Sequence, residues 1–245
     1  MGRQRQRSRR EFQHDEFDNV VEIGTKSPKT FKRLTANHHR VIGAIRNNPI
    51  TIINGPAGSL KTFLALQTGL ALIDHGMFDK FLYIRQRIER PNEPQLGSLP
   101  GEKADKLSGW LNPIRDNLEA ILNPYELAFY LDSGRIEASD IESIRGRSPL
   151  RTFLFCDEAQ NCDLIALETV MTRRTECSRL VLAGDFTGQR DIFSKEFDAF
   201  ELVCKEFKDI FAVINLNKND ILRSETNKDV IMGFEGIRSK LKSAN

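Results

Sequence analysis

Two short stretches of this sequence carry side chains whose types and order suit phosphate chemistry. The first, GPAGSLKT, runs from Gly55 to Thr62. It follows the pattern of a phosphate-binding loop (glycine, four residues, glycine, lysine, then serine or threonine), except that Leu60 stands where the second glycine belongs. In such a loop, backbone N–H groups and the positive end of the following helix converge on one spot, which suits a polyphosphate. Gly55, Pro56, Ala57, Gly58, Ser59 and Leu60 are the candidate cradle. Lys61 would set a compact positive charge against the β and γ phosphates, and the Thr62 hydroxyl would ligate the magnesium ion that bridges them.

The second stretch is DEAQN, Asp157 to Asn161, directly after the apolar run TFLFC. A carboxylate at the end of a buried strand beside a phosphate loop holds magnesium through its water shell, and the next carboxylate orients and deprotonates an attacking water. Asp157 and Glu158 fit those two roles. A solvated acidic pair is the bland alternative, and the order of the motifs speaks against it. A further apolar run ends in GDFTGQRD, which sets Asp185 and Gln189 at the same edge and Gln189 where it can sense the γ phosphate.

Leu60 is the irregular residue. Glycine at that position permits unusual backbone angles or close approach to phosphate. Should the position be left-handed, a leucine there carries about 1–2 kcal/mol of strain, equivalent to roughly 5- to 30-fold in affinity.

These residues need a frame that brings distant segments together. ITIIN (Ile50 to Asn54), KFLYIR (Lys80 to Arg85), TFLFC (Thr152 to Cys156), RLVLAG (Arg179 to Gly184) and IFAVINL (Ile210 to Leu216) read as strands buried on both faces. Helical patterns lie after the loop up to Gly76, and over Asp163 to Arg174, Phe193 to Phe207 and Glu225 to Ser243. The alternation predicts an α/β fold, a mainly parallel sheet covered by helices. The proline- and glycine-rich segment from Arg87 to Trp110 reads as a long excursion. Its tryptophan is either a packing residue or a platform for a nucleic-acid base, and packing is the commoner use.

A length of 245 residues fits one α/β domain, here 21–245, preceded by a basic arm, 1–20. The first ten residues hold five arginines and no acid, a composition that stays disordered. They would either touch nucleic acid phosphates or form a solvated terminus. With 36 basic and 34 acidic residues the net charge of +2 announces neither nucleic acid nor membrane. Cys156, Cys162, Cys177 and Cys204 form no CxxC pair or zinc spacing, and no apolar run approaches the roughly 18 residues of a membrane span. A cytoplasmic protein is expected.

The ordered set of motifs resembles the PhoH-like ATPases, a family frequent in bacteriophage genomes, over most of the chain. The family's GPAGTGKT, LGFLPG, RGRT, DEAQN, GDITQ and late arginine have counterparts in GPAGSLKT from Gly55, LGSLPG from Leu96, RGRS from Arg145, DEAQN from Asp157, GDFTGQ from Gly184 and ILRS from Ile221, with IRQRIE from Ile84 for the TRP-VE segment. The resemblance implies a three-layer, RecA-like P-loop core of the superfamily-one helicase type. It also implies ATP hydrolysis with magnesium, and a homo-oligomer, often a ring of six. An arginine near a subunit boundary would stabilise the transferring phosphoryl group, with Arg223 first among the candidates and Arg85, Arg145 and Arg147 after it. His38 follows Asn37 where relatives carry a glutamine that can contact adenine, and an extra Gly188 separates Thr187 from Gln189. With Leu60, these departures allow slow hydrolysis or binding with little turnover.

The expected activity is an ATPase acting on RNA or single-stranded DNA, as a helicase or an RNA-processing factor. The alternative is an ATP-binding assembly or interaction module. A nuclease is weakest, since no separate carboxylate cluster is present to hold its metals.

Overall fold

A strand covered on both faces has no solvent side to fill with polar residues, so the apolar runs become the middle of a parallel sheet. The computed structural model describes residues 34–86, 111–186 and 199–243. The arm, the excursion from Arg87 to Trp110, Gln189 and the first residues of the helix expected from Phe193 lie outside them. The strands are β1 (Ile50–Asn54), β2 (Lys80–Arg85), β3 (Ile136–Asp140), β4 (Thr152–Asp157), β5 (Arg179–Gly184) and β6 (Ala212–Asn215). All pair in parallel, in the order β3-β2-β4-β5-β1-β6.

The helices are α1 (Ala36–Asn47), α2 (Lys61–Asp74), α3 (Arg115–Ile121), α4 (Pro124–Asp132), α5 (Leu164–Arg173), α6 (Ala199–Glu206) and α7 (Glu225–Ser243). Alternate strand residues point to opposite faces. Phe81, Tyr83, Phe153 and Phe155 meet Val41 of α1, Leu64 of α2 and Leu118 of α3 on one face. Leu82, Ile84, Leu154 and Leu182 meet Leu167 of α5 and Phe200 of α6 on the other. The fold is therefore α/β in three layers, with the sheet in the middle.

The structure adds elements that the sequence pattern did not announce. β3, IEASD, is an edge strand with only Ile136 and Ser139 buried, so it lacks the apolar run of a central strand. α1 opens on a capping box in which His38 takes the place of the usual Glu or Gln, so that signature is hidden. β6 is shorter than the apolar run suggested, ending at Asn215. β4 is longer by one residue, and that residue is Asp157.

Candidate nucleotide site

The loop between β1 and α2 is tied to the sheet at its start and to itself further on. Gly55 N–H donates to Gly184 O at 3.1 Å, and Ser59 Oγ donates to Pro56 O at 2.7 Å. Leu60 is the N-cap of α2 with φ 62° and ψ 14°, the left-handed conformation. Its half-buried side chain packs against the core beneath the loop. The left-handed geometry expected of this position is therefore present, and with it about 1–2 kcal/mol of backbone strain at Leu60.

Lys61, the first residue of α2, turns back over the loop and donates from Nζ to Gly55 O at 2.7 Å and Pro56 O at 2.9 Å. Burial lowers its pKa, against the pull of Asp185, Glu158 and Asp157. Thr62 Oγ1 donates to both carboxylate oxygens of Asp157, each at 3.2 Å, across 95 residues of sequence. Burial, aided by Glu158, pushes the Asp157 carboxyl up to about 6, while Arg85 and Lys61 pull it down. Glu158 follows with φ 53°, a second left-handed residue at the same site.

Lys61, Asp157 and Glu158 line one cleft of about 260 Å³, together with Ala57, Arg85, Gln160 and Asp185. It opens at the carboxyl ends of β1, β2, β4 and β5, where parallel sheets place their ligands. The Thr62 hydroxyl and the Asp157 carboxylate are adjacent hard oxygens, a donor set that fits magnesium, which takes few protein carboxylates and completes its shell with phosphate and water. Among the described residues no cluster of three His, Cys, Asp or Glu side chains forms a closed metal cage.

A second group of residues holds the loop from behind. Asp220 is buried and accepts from Thr35 Oγ1 at 2.6 Å, Asn37 Nδ2 at 3.0 Å and Asn217 N–H at 2.8 Å. Leu222 N–H then donates to Gly58 O at 3.2 Å. Arg223 lies across Gly58, where a Cβ would come within 3.0 Å of its Cδ and Nε; with φ +79° as well, this position accepts only glycine without strain.

The arginine candidates thus divide. Arg85 lines the cleft and Arg223 crosses the loop of its own chain, whereas Arg147 pairs with Glu137 at 3.1 Å beside the edge strand β3, and Arg145 is exposed nearby. His38 sits inside, with no exposed surface; its Nδ1 accepts from Thr35 N–H at 3.1 Å. Burial lowers its pKa, with Asp220 and the Ser59 backbone opposing. From there it touches the back of the loop at the Ser59 backbone. Gln160 and Asp220 were not singled out from the sequence. Gln160 carried a signal in being a polar residue within DEAQN, while Asp220 had none.

The sequence profile of PhoH-like proteins matches residues 30–235. This chain belongs to the PhoH-like protein family. A PhoH-like protein of Synechocystis is 27% identical over 225 residues, which cover 91% of this chain and 68% of that one. Protein PhoH2 of Bacillus subtilis is 36% identical over 186 residues, 68% of this chain and 42% of its own length. Among solved structures, the large terminase of a thermophilic bacteriophage aligns with a TM-score of 0.48 and 8% identity, over 80% of this chain and 48% of that one. As a PhoH-like protein with this sheet and this loop, the chain has a P-loop NTPase fold. Among the described residues no helix is long and apolar enough to cross a membrane.

Proposed function

We propose that this PhoH-like protein hydrolyses ATP with magnesium and couples the reaction to RNA or single-stranded DNA. The observation that carries the proposal is the meeting of Thr62 with Asp157 at 3.2 Å, in a cleft that also holds Lys61 and Glu158. The loop N–H groups and Lys61 bind the polyphosphate. Thr62 and Asp157 would hold the ion, which would supply positive charge to offset that of the phosphates. Glu158 takes the proton from a water as the water oxygen bonds to the γ phosphorus and ADP leaves with the bridging oxygen. Arg223 and Arg85 both stand in cis at the phosphate end and are the cations that would offset the developing charge, Arg223 first. Gln189 completes the set as the sensor of the γ phosphate.

The polymer and the assembly belong to the same proposal. Exposed Arg145 and Arg147 lie in the connection after β3, with Arg147 paired to Glu137 near the amino end of that strand, as surface cations that suit a polyanion, and α7 exposes Val230, Phe234 and Ile237 along a helical stripe that suits a subunit contact. Both features support a homo-oligomer, such as a ring of six, working on a strand.

The test is steady-state hydrolysis and equilibrium ATP binding by the full chain with magnesium, with and without single-stranded RNA or DNA, beside Lys61→Ala. Turnover that rises with one polymer and vanishes in Lys61→Ala is expected. ATP binding no stronger than that of Lys61→Ala would overturn the reading, and binding without turnover would leave the assembly module in its place.

A further inference from the structure

Glu158 occupies a backbone conformation that residues with a Cβ avoid, at φ 53° and ψ 41°, so something must hold it there. Its backbone N–H donates to Asp157 Oδ1 at 3.1 Å and its carbonyl accepts from Asn161 N–H at 2.9 Å, while its side chain is held by Gln160, two residues on and 2% exposed. Gln160 Nε2 donates to Glu158 Oε2 at 2.5 Å, and Gln160 Oε1 accepts from the Asp185 backbone N–H at 3.0 Å. The two partners fix the orientation of the amide, because an N–H needs the carbonyl oxygen and a carboxylate needs the NH₂ group. Gly184 leaves room for this arrangement: a Cβ there would lie 2.9 Å from Gln160 Oε1 and 2.7 Å from the Phe200 ring.

We propose that Gln160 is a positioning residue for hydrolysis: it holds one oxygen of Glu158, leaves Oε1 to take the water's proton, and ties that carboxylate to the end of β5. This rests on the hydrolase reading above. The tie matters because Asp185 lines the same cleft and opens the GDFTGQ segment. A shift of β5's end on binding phosphate would therefore reach Glu158 through a single side chain. A buried amide that only filled space would touch neither the reacting carboxylate nor the cleft.

The experiment compares Gln160→Met and Gln160→Glu with the wild-type full chain, reading kcat, KM for ATP, ATP affinity and the pH profile from about pH 5.5 to 8. Methionine keeps the length and loses both bonds. Its kcat is expected to fall about 10- to 100-fold, with KM and affinity within about threefold, since the loss is confined to the general-base step. Glutamate keeps an oxygen for the Asp185 N–H but sets a second carboxylate against Glu158. Its kcat relative to wild type should be low at pH 8 and recover as the pH falls, when the shared proton restores a donor between the two carboxyls. Lys61 from α2, Arg85 from β2, Asp157 on β4 and Asp185 after β5 face the same cleft; Gln160→Met adds no charge among them, so its ratio to wild type is the reference for the glutamate profile. Wild-type kcat in both variants would overturn the inference, as would losses that follow melting temperature or ATP affinity and show no recovery at low pH. A wild-type protein that binds ATP without hydrolysing it would overturn the hydrolase reading and this inference together, and would be seen before any variant is compared.

Discussion

On the cleft side of the phosphate loop, Lys61, Asp157, Glu158 and Asp185 are crowded into one cavity, with Asp157 pushed up to about 6 and Glu158 in a left-handed conformation. On the rear side, Thr35, Asn37, Asn217 and Asp220 form a network in which each donor finds an acceptor, and no residue there has a positive φ outside glycine. The loop between them is held by the second group so that the first can remain under strain. Electrostatic tension at a site is tolerable only where the surroundings over-determine the geometry. Function and stability should therefore respond separately to changes on the two sides.

The largest separation is expected from Glu158→Gln. Its hydrolysis should fall by about 10² to 10⁴, the usual worth of a general base, while melting temperature and ATP binding stay near wild type. A large fall in melting temperature would mean that Glu158 belongs with the rear group. Asp220→Ala should do the reverse. It strands the Thr35 hydroxyl, the Asn37 amide and the Asn217 N–H, and urea unfolding should show a loss of about 2–4 kcal/mol. Unchanged stability there would break the comparison.

The two sides should also respond to pH with opposite signs. Burial raises Asp157 from 3.8 to about 6, so the folded chain holds its proton more tightly than the unfolded chain. Stability then falls as the pH rises through that window, by up to about 3 kcal/mol. Asp157→Asn should remove that slope and melt higher than wild type at pH 7. Burial lowers His38 below 6.5, so the unfolded chain takes up its proton first and stability falls as the pH drops below 6.5. His38→Gln keeps an N3 acceptor for the capping box and should flatten the second slope alone. Slopes unchanged in both variants would assign the pH dependence elsewhere.

The smallest effect is expected from Leu60→Gly. Glycine relieves about 1 kcal/mol of left-handed strain but gives up the side chain's packing and costs backbone entropy, so stability should move by less than about 1 kcal/mol. Because the Leu60 side chain packs against the core and does not line the cleft, ATP affinity should stay within about threefold, read by equilibrium binding. A gain of tenfold or more would show that the leucine strains the bound loop after all.

Five strands were legible, four of them because burial on both faces leaves an apolar run, and β6 as an apolar run longer than the half-exposed edge strand it forms. β3 was not, since an edge strand spelled IEASD has few buried positions, and α1 was not, because histidine stands in its capping box. In the site, Lys61, Thr62, Asp157 and Glu158 were readable from type and order, as their chemistry depends on being that kind of residue at that end of a strand or helix. Gln160 and Asp220 were harder to read because their importance lies in their partners. Asp220 meets Thr35 across 185 residues and Asn37 across 183.

By itself the sequence determined the local matters: a phosphate loop with a leucine in the glycine's place, two carboxylates after a buried strand, and the alternation that demands a parallel sheet. Only the tertiary structure decided that Leu60 is left-handed, that Thr62 meets Asp157, that Arg223 crosses Gly58 and that His38 lies inside. The physical reason is the strand order. A parallel sheet ordered β3-β2-β4-β5-β1-β6 sets the carboxyl ends of β1, β4 and β5 side by side although they are far apart in the chain, and no local pattern records which ends will be neighbours.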